Sequence, residues 1–252
     1  RLVTLTGPPG IGKTRLALQV LNRVHPQYRN GVAYINLIPL ADPSLVATTI
    51  ALALAINENA GQPILETLGQ VLADQEKLLL LDNFEQIVTA APIITALLAA
   101  APGLKVLVTS QVLLDLHGEH VFTVPALTQP DRQTLPSAGS VLTTKVAEYE
   151  AVQLFVQRAQ ARKADFALTE QNALVVSQIC RRLDGLPLAI ELAAARIAHF
   201  PLSAMLEALH SSRFTPLTRA PQDTPVRHRT LRAAIDWSYE LLDNVEQKLL
   251  RR

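Results

Sequence analysis

Near the amino terminus the residues Gly7, Pro8, Pro9, Gly10, Ile11, Gly12, Lys13 and Thr14 follow one another. The spacing is glycine, four residues, glycine, lysine and a hydroxyl residue. The chemistry suited to this pattern is the cradling of phosphate oxygens. Glycines let successive backbone N–H groups turn inward, and a helix that starts directly behind them adds positive potential. Lys13 is placed to reach the β- and γ-phosphates as a compact charge, and the Thr14 hydroxyl is placed to ligate magnesium. Arg15 is a further candidate for phosphate contact. The ligand implied is ATP or ADP with Mg2+.

A second constellation begins at Lys77, Leu78, Leu79, Leu80, Leu81 and Asp82, a buried strand ending in an acid. An acid there stands at the carboxyl edge of a sheet, where open α/β folds bind their ligands, and Asp82 is expected to support the metal directly or through water. The plainer alternative is an acid that caps the next helix. Asn83 follows, and an amide cannot act as a base. Glu85 is the nearest carboxylate that could, with a solvated surface group as the alternative. A third apolar run ends in Thr109, Ser110 and Gln111. Thr109 and Gln111 could place a hydroxyl or an amide beside a γ-phosphate.

These groups need a scaffold that brings strand ends together. Apolar runs of strand length recur at residues 2–6, 32–37, 77–81 and 104–109, with helical patterns between them, and a fifth run at 121–125 closes the set. The alternation predicts a parallel sheet with helices on both faces. The runs are apolar on successive residues, as strands buried on both faces are. The phosphate loop follows the first strand and precedes a helix at 15–24, the context the pattern requires.

From residue 128 to 147 the composition turns to Pro, Gln, Ser, Thr and Gly, an exposed connection. After it come helical patterns at 149–163, 169–183, 187–199 and 202–210. The domains expected are therefore a nucleotide-binding domain at 1–127, a linker at 128–147 and a small helical domain at 148–212. Residues 213–252 are read as a linker and the truncated start of a further domain. The chain opens at Arg1 on a core strand without an initiator Met, which reads as a piece of a longer protein.

Bulk properties exclude several classes. Hydrophobic residues make up 49% and charged residues 18% of the 252, too apolar for a disordered tail. A net charge of +1 offers no overall attraction for nucleic acid or anionic membrane. No apolar stretch reaches the roughly 20 residues of a membrane span, and no signal peptide is present, so a cytoplasmic location is expected. The single cysteine, Cys180, cannot form an internal disulfide and reads as a buried thiol. His117 and His120 read as surface residues, and the six histidines show no zinc spacing.

With Asp184, Gly185, Leu186, Pro187, Leu188, Ala189, Ile190, Glu191 and Leu192 added to the segments above, the chain resembles the NB-ARC-like STAND P-loop ATPases. The likeness is to the AfsR and LuxR-type bacterial transcriptional regulators in particular. Residues 151–159 and 229–239 carry it further, so that it spans nearly the whole chain. The resemblance implies a five-stranded sheet of order 5-1-4-3-2, a helical lid and then a winged-helix domain. It further implies that Pro187 packs against adenine or ribose. Such proteins are ATP/ADP-dependent switches more than turnover enzymes, closed with ADP and opened by ATP with an inducer, and they self-associate in their full-length form.

Two departures matter. Relatives usually carry Arg where this chain has Gln111, and a neutral amide cannot supply the charge-assisted contact of a guanidinium. The Gly-Arg-Glu segment that helps to hold adenine ahead of the first strand is also missing, from which weaker adenine affinity is expected. The reading is therefore a slow Mg-dependent ATPase acting as a signalling switch. The alternatives are an AAA+-type remodelling ATPase, which needs a base beside Asp82, and a P-loop small-molecule kinase, which needs a substrate lid in the first domain. Specific DNA binding by these residues is not expected, because the charges near Arg232, Lys248, Arg251 and Arg252 are nearly cancelled by Asp236, Glu240, Asp243 and Glu246.

Overall fold

The computed structural model describes residues 1–57, 61–131 and 140–210, which pack as two compact units. The first comprises Arg1–Gly7 and Gly12–Val124. It holds strands β1 (Leu2–Thr6), β2 (Val32–Asn36), β3 (Leu78–Asp82), β4 (Lys105–Ser110) and β5 (Glu119–Thr123), with helices α1 (Lys13–Val24), α2 (Val46–Ala53), α3 (Ile64–Leu72) and α4 (Ala91–Ala100). The strands form one sheet in the order β2-β3-β4-β1-β5, every pair parallel. This is the α/β P-loop fold and the strand order implied by the resemblance.

All five residues of β3 are buried, as expected of a strand covered by helices on both faces. Leu79, Leu81 and Phe84 join Ile50, Leu68, Ile94 and Leu97 in one apolar core. Arg1 fastens the start of β1. Its guanidinium donates to the carbonyls of Leu98 at 2.6 Å, Ala101 at 2.5 Å and Leu104 at 3.2 Å, taking up acceptors at the carboxyl end of α4. The registers Leu5↔Thr109 and Asn36↔Asp82 align the carboxyl ends of neighbouring strands.

The fifth strand lies two residues earlier than the expected 121–125. Its ladder with β1 opens at Leu2↔Glu119, and after Val124 donates to the Thr6 carbonyl comes Pro125, which has no N–H to continue it. Its residues are also the most exposed of any strand, which departs from the expected burial on both faces.

The second unit comprises Pro8–Ile11 and the described residues from Pro125 on. Its helices are α5 (Ser140–Ala147), α6 (Glu150–Gln160), α7 (Ala173–Arg182), α8 (Pro187–Ala194) and α9 (Leu202–His210). Four of them fall within the helical patterns read from the sequence. The expected connection at 128–147 is corrected at both ends. At its start, Thr128 and Glu150 cap each other: the Thr128 N–H and hydroxyl donate to Glu150 Oε2 at 3.0 and 3.1 Å, and the Glu150 N–H donates to Thr128 Oγ1 at 3.1 Å. At its end lies α5, whose Leu142 and Val146, one turn apart, are buried. The expected winged-helix start at 213–252 lies outside the described residues.

Gly185 closes the turn before α8. Asp184 and Gly185 are both left-handed, with φ of 52° and 63°, and the Gly185 carbonyl accepts the Leu127 N–H at 3.0 Å. Elsewhere in this unit Arg158 pairs with Glu191 Oε1 at 2.9 Å, and Phe155 meets Phe166 edge to face at 6.2 Å.

Cys180 is fully buried, with its thiol donating to the Ala151 carbonyl at 3.4 Å, and burial pushes its pKa up to about 12. Since the thiolate is the reactive form, the folded protein is expected to resist iodoacetamide at neutral pH and to react once unfolded. Mass spectrometry of the labelled protein checks this, and modification at the native rate of a free thiol would mean that this core opens readily.

Candidate functional site

The loop between β1 and α1 needs its glycines. Gly7, Gly10 and Gly12 have φ of 146°, 76° and 97°, a region that side chains with a Cβ rarely adopt. Gly12 is the residue from which α1 springs, so the first turn begins without a capping side chain and carries no acidic residue. A helix start of this kind, with its first N–H groups unclaimed by side chains, suits an anion. A Cβ built on Gly12 meets nothing within 4 Å, so the space in front of the turn is open.

Lys13 is 7% exposed and donates from Nζ to the Gly7 carbonyl at 2.8 Å, across the mouth of the loop. Burial lowers its pKa, while the negative charges of Glu85 and then Asp82 raise it. A desolvated ammonium facing two carboxylates is a group whose charge gains from an arriving phosphate.

Asp82 is 1% exposed at the end of β3, and hydroxyls from three other elements converge on its carboxylate. Thr14 of α1 donates to Oδ1 at 2.8 Å, Thr109 of β4 donates to Oδ1 at 2.5 Å, and Tyr34 of β2 donates to Oδ2 at 3.1 Å. Thr109 Oγ1 also accepts the Asn83 N–H at 2.9 Å, which ties the chain just after Asp82 to β4. Asn83 turns there with φ of 64°. The alternative of Asp82 as a helix cap fails, because its carboxylate takes side-chain hydroxyls instead of the N–H groups of a following turn.

Buried oxygen ligands beside an anion-binding loop fit a hard divalent cation. Magnesium keeps several waters and needs only one or two protein oxygens together with phosphate, and Thr14 and Asp82 could supply such oxygens. No group of three His, Cys, Asp or Glu able to hold a metal occurs among the described residues. His117 and His120 are exposed.

Glu85 lies in the short turn after β3, where Gln111 at the end of β4 donates its amide to Glu85 Oε1 at 2.9 Å. The other oxygen, Oε2, is buried without a hydrogen-bond partner among the described residues. Gln111, considered as a contact to phosphate, is thus engaged by a carboxylate. Arg15 is exposed on α1. Pro187 occupies the first turn of α8, and the next residue, Leu188, donates its N–H to the Gly10 carbonyl at 3.2 Å within the second unit.

Tyr34 is the one member of this group that sequence reasoning missed. A tyrosine inside a strand is an ordinary β-former, and its role follows only from the pairing of β2 with β3. Burial, followed by the charge of Asp82 and the hydrogen bond to it, raises its pKa.

The AAA domain family matches residues 1–114. A Mycobacterium tuberculosis protein named as an HTH-type transcriptional regulator is 36% identical over 253 aligned positions, which cover 100% of this chain and 26% of that protein. The regulatory protein AfsR of Streptomyces coelicolor is 30% identical, over 77% of this chain and 18% of its own length. The chain therefore spans about a quarter or less of these regulators. Among solved structures, a STAND protein with a tetratricopeptide repeat sensor from Pyrococcus horikoshii superposes with a TM-score of 0.53 at 16% identity, covering 99% of this chain and 31% of that one, a likeness of fold. No helix among the described residues is long and apolar enough to cross a membrane. The glycine loop, the strand-end acid and the family match together make residues 1–114 an AAA-type P-loop domain, homologous to part of the AfsR-type and HTH-type regulators.

Proposed function

We propose that this chain binds ATP or ADP with Mg2+ and serves as the nucleotide-dependent switch of a larger transcriptional regulator. The observation that carries it is the convergence of Lys13, Thr14 and Asp82 behind three positive-φ glycines. The phosphates lie on the loop amides, Lys13 exchanges its Gly7 carbonyl for phosphate oxygens, and Thr14 and Asp82 hold the metal. The metal neutralises phosphate charge. The resemblance also assigns Pro187 a nucleotide contact, and Arg15 and Thr109 lie in the shell around Thr14 and Asp82. In this reading the unit that holds the sheet is the nucleotide domain and the unit that holds α5 to α9 is the helical lid, with regulator-level self-association and output encoded elsewhere in the full-length protein. A cytoplasmic setting follows from that role.

Hydrolysis in this reading is slow. Asn83 cannot act as a base and Gln111 cannot neutralise developing charge as an arginine does. Glu85 is the carboxylate able to accept a proton from water, through its unpartnered Oε2. In a phosphate-release assay the chain is expected to turn over far below the enzyme median of roughly 10 per second. Sustained turnover near that value would replace the switch with an AAA+-type motor.

A further inference from the structure

The hydroxyl on Asp82 that no motif anticipates comes from β2. We propose that Tyr34 is a positioning residue of the metal site: its phenol fixes the plane of the Asp82 carboxylate so that the remaining acceptor position faces the magnesium shell. The inference rests on the proposed role of Asp82 in holding Mg2+.

A carboxylate offers about four acceptor positions, two on each oxygen. On Asp82 the Thr14 and Thr109 hydroxyls fill both positions of Oδ1, and Tyr34 fills one of the two on Oδ2. Among the described residues one position is left, on the oxygen that Tyr34 orients. The terminal torsion of an aspartate is broad and roughly two-fold, and rotation about the Cβ–Cγ bond carries both oxygens together. The hydroxyls on Oδ1 therefore limit that rotation, and the third donor, on a separate strand and on the other oxygen, narrows it further.

The placement is particular to a long side chain. In the parallel register Tyr34 stands opposite Leu80, and Asn36 stands opposite Asp82. The hydroxyl must therefore reach two residues along the ladder, about 7 Å at the rise of a strand, and a phenol spans this where a serine or threonine does not. Tyr34 is 41% exposed as a residue, and its hydroxyl is turned to the carboxylate of Asp82, a residue that is 1% exposed.

The test is calorimetric titration of the full chain with ADP, once with excess Mg2+ and once with excess EDTA, for wild type, Tyr34→Phe, Asp82→Asn and the double variant. The readout is the ratio of the two affinities, which reports the metal's contribution alone. Removing a partner that orients a metal ligand typically costs 10- to 100-fold in metal affinity. Tyr34→Phe keeps the ring and is expected to cut the ratio about tenfold. In the Asp82→Asn background the same change is expected to do nothing further, since coupled residues lose their separate effects once their partner is gone. A ratio unchanged in Tyr34→Phe, or ADP weakened equally with and without metal, overturns the inference and leaves Tyr34 as a strand-to-strand tie. A wild-type ratio near one removes the metal from Asp82 and takes the inference with it. Melting curves of the four proteins confirm that each is folded.

Discussion

Replacing Lys13 by alanine is expected to weaken ADP and ATP binding roughly ten- to a hundredfold while the fold persists. The side chain is 7% exposed and its ammonium donates to the Gly7 carbonyl at 2.8 Å, across the loop mouth where phosphate would lie. A charge-assisted hydrogen bond to phosphate contributes on the order of 1.5 to 3 kcal/mol, which converts to the stated range at about 1.4 kcal/mol per decade. The sheet loses little, because the ammonium lies at the strand ends and outside the apolar core. Isothermal titration with both nucleotides, beside a melting curve, separates binding from folding. Unchanged affinity in a folded variant would move the phosphate site away from this loop.

Gly185→Ala should be strongly destabilising. A Cβ on Gly185 would lie 2.4 Å from the Leu127 carbonyl oxygen and 3.3 Å from its carbon, both backbone atoms. The chain cannot give way without breaking the Leu127 N–H bond to the Gly185 carbonyl. The left-handed backbone adds about 1–2 kcal/mol for a residue with a Cβ, and forcing extra bulk into a packed site adds about 1–3 kcal/mol. At this chain length the sum corresponds to a fall in Tm on the order of 10 °C. Gly118→Ala is the matched control. Its φ of 81° carries the same backbone penalty, but nothing lies within 4 Å of the added carbon, so about 1–2 kcal/mol is expected. Far-UV circular dichroism melts of the two variants decide the matter. Equal shifts would show that the approach of Leu127 contributes nothing and that backbone strain alone is at work.

The second of these results bears on how the Gly185, Leu186, Pro187 segment is read. Taken locally it is a loop entering a helix with proline in its first turn. The structure adds a steric reason for the glycine, which is the close passage of residue 127, far away in sequence. Together with the Leu188 bond to Gly10, this makes the segment a junction within the second unit.

What the sequence determined by itself was whatever depends on neighbours along the chain. The spacing of Gly7, Gly12, Lys13 and Thr14 specifies a loop whose backbone conformations only glycine adopts readily, and Gly7, Gly10 and Gly12 have positive φ in the structure. The run of four leucines ending in Asp82 specifies a doubly covered strand with an acid at its carboxyl end, and β3 is that strand. Helical periodicity located the later helices for the same reason, since burial of one face repeats with the helix turn. What only the tertiary structure decided were the partners brought together by the order of strands in the sheet. Asp82 meets Thr14, Thr109 and Tyr34 across separations of 68, 27 and 48 residues, and the Gln111 amide meets Glu85 across 26. The helix inside the expected linker was likewise hidden, because its two buried residues, Leu142 and Val146, are too few to outweigh a polar composition until other helices cover them. A periodic signal records which face of an element is buried; it carries no record of which distant element does the burying, and in this protein that choice brings three hydroxyls to the Asp82 carboxylate.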